Sequence, residues 1–241
     1  MQQYDLIATT AFGLEFVVSN ELKALGYDLQ RKSDGQVAFR GDAMAICRTN
    51  LWLRSADRVV LKFAQFEARD FGVLFDKTKE LPWADLLPVD ATFPVNGRSI
   101  KSQLHSVPTC QSIVKKAIVE KLRKTYHRSR FEETGPEYTI DVRLLNDVVT
   151  ITVDTSGDGL HKRGYRRKAG MAPLRETTAA ALVLLSYWNR DRPLIDPFCG
   201  SATIPIEAAM IGRNIAPGRN RSFAAEDWSI ATREMWREAR T

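Results

Sequence analysis

Residues 192–203 read Arg192-Pro-Leu-Ile-Asp-Pro-Phe-Cys-Gly-Ser-Ala-Thr203, and no other stretch of this chain restricts its fold as much. Leu194 and Ile195 are apolar and run into Asp196-Pro197, which reads as a short buried strand. A Gly-Ser-Ala-Thr turn follows, and residues 204–211 have the composition of a helix. In open α/β sheets, ligands sit outside the carboxyl ends of strands at such turns. Gly200 has no Cβ, so the backbone can bend sharply and a ligand can approach it. The helix start offers unpaired N–H groups and the positive end of a dipole. Ser201 or Thr203 is placed to cap it, and Pro205 falls in the first turn, where a missing N–H does no harm. Asp196 sits where a strand-end carboxylate accepts hydrogen bonds from a ligand amine or hydroxyl.

A strand–Gly–helix turn alone is common to many βα units, but the full eight-residue string is narrower. It resembles the first cofactor motif of class I methyltransferases, written Asp-Pro-Phe-Cys-Gly-Ser-Gly-Thr, with Ala202 in place of the second Gly. The resemblance implies that Asp196, Pro197, Phe198, Cys199, Gly200, Ser201, Ala202 and Thr203 hold S-adenosylmethionine.

Charge points to a partner. Residues 1–100 carry 12 Lys/Arg against 13 Asp/Glu, residues 101–170 carry 14 against 8, and residues 171–241 carry 9 against 8. The net +6 therefore lies in the middle stretch, the footprint expected for a polyanion. No apolar run approaches the roughly 18 residues of a membrane span, and the N-terminus has neither the basic flank nor the apolar core of a secretory signal. Cys47, Cys110 and Cys199 are scattered and odd in number. That argues against a disulfide framework or a metal-ligand pair and makes each a small packed side chain in a reducing cytoplasm. No membrane and no metal partner is expected.

Taken in order, residues 4–10 read as a strand. Leu14, Val17, Val18, Leu22 and Leu25 recur at helical spacing up to Gly26. Residues 27–31 and 36–39 make strands around a Ser33-Asp-Gly35 turn, 43–53 a second helix and 58–66 another strand. The order β-α-β-β-α-β is that of a ferredoxin-like unit. Residues 71–81 read as helix, followed by Trp83 as a packing residue. Residues 91–95 read as strand, Asn96-Gly97 as a turn and Thr109 as the cap of a helix carrying Val114, Ile118 and Leu122 on one face. Residues 139–145 and 148–154 alternate as a hairpin across Asn146-Asp147.

The segments Phe93-Pro-Val-Asn-Gly-Arg-Ser-Ile-Lys101 and Gln111-Ser-Ile-Val-Lys-Lys-Ala-Ile118 resemble the core of a THUMP domain. In that family the domain stands beside a ferredoxin-like unit and grips structured RNA. The residues agree: a basic helix beside a polar Asn-Gly-Arg-Ser turn suits phosphate contact, which positions RNA without reading its sequence. Arg98, Lys101, Lys115, Lys116, Arg123 and Lys124 are the candidates.

Residues 155–159, Thr-Ser-Gly-Asp-Gly, read as a flexible joint. His161-Lys-Arg-Gly-Tyr-Arg-Arg-Lys168 follows, with five cations in eight residues. Lys162, Arg163, Arg166 and Arg167 are further phosphate candidates, with Arg163 and Arg166 foremost, and Tyr165 is a stacking ring. His161 has no carboxylate partner in the local sequence and is not read as catalytic. A helix is expected through 179–187, and loop with a last amphipathic helix after residue 213. His161-Lys-Arg-Gly-Tyr165 and Leu174-Arg-Glu-Thr177 resemble the opening of the catalytic domain in THUMP-bearing methyltransferases. That implies a place near the cofactor for Glu176 and Thr177; helix capping is the alternative for Glu176.

The expected architecture is α+β then α/β. Residues 1–67 form a ferredoxin-like domain, 68–158 a THUMP RNA-binding domain and 159–241 the first part of a Rossmann-like methyltransferase domain. The resemblance implies the N-terminal part of a cytoplasmic enzyme that moves a methyl group from S-adenosylmethionine to guanine N2 of 23S ribosomal RNA. Neither a second-strand acidic residue for ribose nor a Pro-Pro dipeptide to hold the target amine follows the turn. The chain by itself is therefore expected to be catalytically silent, with no catalytic residue of its own. A pure RNA-binding module, a methyltransferase acting on tRNA and an adenine-N6 DNA methyltransferase are the rivals. Nothing in the sequence sets the oligomeric state.

Overall fold

The computed structural model describes residues 2–165 and 174–241. They form two compact units, Met1–Val60 with Thr155–Thr241, and Leu61–Asp154.

The first unit opens with β1 (Tyr4–Thr9), α1 (Glu15–Ala24), β2 (Leu29–Ser33), β3 (Gln36–Gly41), α2 (Ala43–Trp52) and the start of β4 (Arg58–Glu67). β1 pairs antiparallel with β3, and β3 with β2. The strand order β2-β3-β1-β4 is ferredoxin-like, as the pattern led one to expect. Leu6 lies opposite Phe39 across β1 and β3, and both are wholly buried beside Val18 and Leu22 of α1 and Ile46 and Leu51 of α2. Each such side chain contributes about 1.5–3 kcal/mol. Asp42 caps α2 by accepting from the Ala45 N–H at 3.0 Å, a contact of about 1 kcal/mol.

The same unit takes up the chain again at residue 155, and there the expected flexible joint is absent. Thr155 and Ser156 are fully buried. The Thr155 hydroxyl donates to the Val59 carbonyl (2.6 Å) and accepts from Asn50 Nδ2 (2.9 Å). The Ser156 hydroxyl donates to Asn50 Oδ1 (2.6 Å) and accepts from the Val59 N–H (2.8 Å). Small hydroxyl residues that suit a linker suit a buried bonded corner equally well. Next come α5 (Glu176–Leu185), α6 (Thr203–Gly212), a 3₁₀ turn at Ala224–Asp227 and α7 (Arg233–Arg240). α5 packs on α6, and α7 on α2. The Trp52 indole N–H donates to the Ala239 carbonyl (3.3 Å), and the Gly218 N–H to that of Leu51 (2.9 Å).

The second unit holds the rest of β4, then α3 (Phe71–Glu80), β5 (Val95–Ile100), α4 (Val107–Tyr126), β6 (Ile140–Leu145) and β7 (Val148–Asp154). β5 and β6 are parallel, a pairing that requires the α4 crossover. β6 and β7 form the expected hairpin, with Asn146 and Asp147 both at positive φ (51° and 63°), as a type I′ turn demands. Trp83 is wholly buried, its ring 4.5 Å from that of Phe63 and its indole N–H on the Thr78 carbonyl (2.7 Å).

Strand β5 begins at Val95 and not at Ala91, and Asn96-Gly97 lies within it. The parallel ladder to β6 outweighs the turn propensity of Asn-Gly. A Cβ on Gly97 would come within 3.2 Å of Val107 and 3.1 Å of Gln111, so this glycine is explained by the close seat of α4. Ser106, not Thr109, stands at the cap of α4, and the two hydroxyls bond to each other at 2.7 Å.

Candidate functional site

Residues 194 and 195, expected as a buried strand, are not a strand in the structure, and Ile195 is 86% exposed. A strand exists only through a ladder partner, and among the described residues no strand pairs with this segment. The turn that follows is well defined. Asp196 Oδ1 accepts from the Phe198 N–H (3.1 Å), an Asx turn, and Phe198 points outward at 93% exposure. The Ala202 N–H closes on the Cys199 carbonyl (2.7 Å), and the Ser201 and Thr203 hydroxyls bond to each other (3.1 Å). Cys199 is exposed, against the expectation of a packed thiol, whereas Cys47 and Cys110 are buried as expected. Burial pushes the Cys47 thiol up to about 12.

Neither Ser201 nor Thr203 caps α6. Ala202 occupies the cap position in the left-handed region, at φ 58°, and makes no side-chain cap hydrogen bond. An L-residue there costs about 1–2 kcal/mol. Ala202→Gly is therefore expected to raise the unfolding free energy of the first unit by about 1 kcal/mol. Thermal melting checks it: an unchanged or lower midpoint contradicts the strain assigned to Ala202.

Glu176 and Thr177 form the first turn of α5 and are both buried. The Thr177 hydroxyl donates to Asp57 Oδ1 at 3.1 Å, which holds α5 to the ferredoxin-like part of the unit. Burial lowers the pKa of His161, against the opposing field of Glu176.

The basic segment behaves differently from its composition. Arg163 is buried and takes no place among surface cations. Its Nε lies 3.3 Å from Glu207 Oε1, and it donates to the Leu160 carbonyl (2.9 Å) and the Arg54 carbonyl. Glu207, on α6, is also wholly buried and takes a bond from the Tyr165 hydroxyl (3.0 Å). Burial and Glu207 together raise the Tyr165 phenol well above its ordinary value. Tyr165 is thus a fastening, not a free stacking ring. Glu207 Oε2 and the Nη1 of nearby Arg54 are buried without a partner among the described residues. Lys162 is exposed and pairs with Asp158 (2.6 Å), which lowers the pKa of that carboxylate. Arg166 and Arg167 lie outside the described residues.

In the second unit the six candidates do not form one patch. Lys115 is tied down: it donates to the Phe93 carbonyl (3.0 Å) and Glu133 Oε1 (2.9 Å) and lies 3.6 Å from the Phe93 ring centroid. Lys116, Arg123 and Lys124 are exposed on α4, with Arg123 Nε on the Ser129 carbonyl (3.0 Å). Arg98 alternates with Gly97, whose face receives α4, and so lies on the opposite face of β5. Its register partner is Arg143, a cation that sequence reasoning missed and that β6 alternation, applied to polar positions, would have marked. Lys101 follows the strand, exposed and at φ 49°. Among the described residues, no group of three or more His, Cys, Asp or Glu could hold a metal ion, and no helix is long and apolar enough to cross a membrane.

Three family models match the chain: the RlmL ferredoxin-like domain over residues 5–60, the THUMP domain over 68–154 and the RMKL-like methyltransferase domain over 163–241. A Bacillus subtilis protein named "Putative RNA methyltransferase YpsC" is 54% identical over all of this chain, which spans 63% of that protein. A Listeria monocytogenes crystal structure, described as "a predicted N6-adenine-specific DNA methylase", is 55% identical with a TM-score of 0.96, over all of this chain and 63% of its own. The structure of SMU.472, described as "a putative methyltransferase complexed with SAH", is 46% identical with a TM-score of 0.95, over all of this chain and 64% of its own. The chain thus spans less than two thirds of the relatives it matches. The ferredoxin-like βαββαβ unit, the crossover unit bearing exposed cations and the Gly-turn that opens α6 thus lie, in that order, where the chain is similar to an RlmL ferredoxin-like domain, a THUMP domain and an RMKL-like methyltransferase domain.

Proposed function

We propose that this chain is part of an RNA methyltransferase that moves a methyl group from S-adenosylmethionine to guanine N2 of 23S ribosomal RNA in the cytoplasm. Its domains run over 1–67, 68–158 and 159–241. The observation that carries the reading is the turn at residues 196–203, opening α6, in a chain that also holds a THUMP domain. The residues present suit the cofactor. The start of α6 has no side-chain cap and suits a carboxylate. Asp196 suits an amine or hydroxyl, and the outward Phe198 and Ile195 offer apolar surface. When bound, S-adenosylmethionine supplies an electrophilic methyl group. Asp196, Gly200 and Thr203 would hold and orient it, and such positioning does most of the work in an in-line transfer. The SAH complex of SMU.472 supports the cofactor, since SAH is what remains once that methyl has left. Lys116, Arg123, Lys124, Arg98, Lys101 and Lys162 would hold phosphates.

The description of the Listeria relative favours DNA adenine as substrate; the THUMP domain favours RNA, and the YpsC name agrees. A tRNA substrate is the nearest alternative. The test uses the whole protein that carries this chain. Labelled S-adenosylmethionine is incubated with unmodified 23S RNA, tRNA and DNA, and the products are digested to nucleosides. N2-methylguanosine from 23S RNA is the expected outcome; label in adenine or in tRNA overturns the assignment. In parallel, Asp196→Ala is expected to weaken S-adenosylmethionine binding at least tenfold while RNA affinity, which should fall steeply with salt, stays unchanged. An equal fall in both affinities makes the turn merely structural.

A further inference from the structure

The corner between β1 and α1 in the first unit displays two large rings to solvent. Phe12 is 81% exposed and Phe16 57% exposed. Neither adds to the core, and neither is loosely hung. Glu15, between them in sequence, accepts from the Gly13 N–H (2.9 Å) and from the Gly35 N–H (2.7 Å) of the β2–β3 turn. Those bonds hold its carboxyl below the usual Glu range. The Thr10 N–H adds a bond to the Gly35 carbonyl (2.9 Å). Two loops are thereby pinned to one another with the rings left outward. Lys32 on β2 reaches over the Phe16 ring, 5.5 Å from its centroid, and Arg31 beside it is exposed too. β2 is the edge strand, so both cations stand at the rim.

We propose that this corner is a stacking platform for an unpaired nucleobase of an RNA strand, with Phe12 under the base and Lys32 on the adjoining phosphate. The proposal rests on the reading of RNA as the substrate. Every base has a π face that an exposed aromatic ring can take, and bases in loops and bulges, unlike those in a duplex, present that face. The flanking Lys32 and Arg31 favour a polyanion over an apolar protein surface. A frame ordered in advance also lowers the entropy lost on binding.

The experiment titrates the 241-residue chain into a short single-stranded RNA with 2-aminopurine at its centre, and into a blunt duplex of the same composition. The single strand is expected to bind with quenching of 2-aminopurine. Phe12→Ala removes the quench and weakens single-strand affinity on the order of tenfold. It leaves duplex affinity unchanged, while Phe12→Trp restores both signals. Lys32→Ala lowers the salt slope by about one phosphate contact. Wild-type quench and affinity in Phe12→Ala overturns the platform and leaves the RNA reading standing. Failure of the wild-type chain to bind either RNA at low salt overturns both. Since Phe12 lies at the surface, its replacement leaves the fold intact.

Discussion

Glu207→Gln is expected to destabilise the first unit by about 3–5 kcal/mol, the cost of leaving one charge of a buried pair without its partner. Both side chains of the Arg163–Glu207 pair are essentially inaccessible to water (2% and 0% exposed), so solvent screening does not discount it. Arg163 would keep its two carbonyl acceptors but face a neutral amide oxygen where the carboxylate stood, and Tyr165 would likewise face an amide. A loss of that size is a large part of the roughly 5–15 kcal/mol that holds a domain together, and it lowers a melting midpoint by about 10 °C. Trp52, Trp188, Trp228 and Trp236 belong to this unit and Trp83 to the other, so a urea titration of a Trp83→Phe background followed by tryptophan fluorescence reads the first unit. Amide protection of β5, β6 and β7 should not change. Joint replacement, Arg163→Met with Glu207→Leu, is expected to recover most of the loss. If Glu207→Gln alone moves the midpoint by less than the equivalent of about 1 kcal/mol, the pair does not carry the stability assigned to it.

Asn50→Leu is the second large effect, about 2–4 kcal/mol. Asn50 joins three parts of the chain: the Ile46 carbonyl one turn back in α2 (2.9 Å), the Thr155 hydroxyl and the Ser156 hydroxyl. Leucine nearly matches it in volume and meets none of those bonds. The Thr155 and Ser156 hydroxyls, both buried, then lose partners that water cannot replace. Hydrogen exchange at the Val59 and Thr155 amides should quicken by more than tenfold, because both amides close this corner. Asn50→Asp keeps the acceptor for Ser156 but loses the donor to Thr155, and an intermediate effect is expected. Exchange at wild-type rates in Asn50→Leu would mean that the corner is held by packing alone.

The contrast between these two sites and the rest of the fold shows what a sequence exposes. Period-two and period-3.6 patterns are local, so β1, α1, β3 and α2 were legible from residues such as Val37, Phe39, Ile46 and Leu51. The turn at 196–203 was legible as a string, but the strand expected before it is not formed among the described residues, since a strand depends on a neighbour that no local pattern supplies. Arg163 misled for the same reason. Five cations in eight residues suggest a solvent-facing patch, but the partner that draws Arg163 inward is Glu207, 44 residues away. Residues 155–159 look like a linker by composition; only the distant Asn50 reveals that their hydroxyls are spoken for. Asn96-Gly97 carries a turn signature, and the ladder to β6 overrode it. Polar residues were misplaced wherever their partner was remote in sequence, whereas the apolar pattern could be read within a single window.

One consequence concerns time. The first unit is built from residues on either side of the second, and the chain leaves and rejoins it at hydrogen-bonded neighbours, with the Thr155 N–H on the Val59 carbonyl at 3.2 Å. On a ribosome adding about 5–20 residues per second, the helix face of α2 that receives α7 must wait roughly 10–35 s for it. Leu61–Asp154, being contiguous, can fold inside that interval. Nascent chains should therefore pass through a stage in which the contiguous unit is native and the divided one is still half made, with Leu51 and Trp52 open to chaperones.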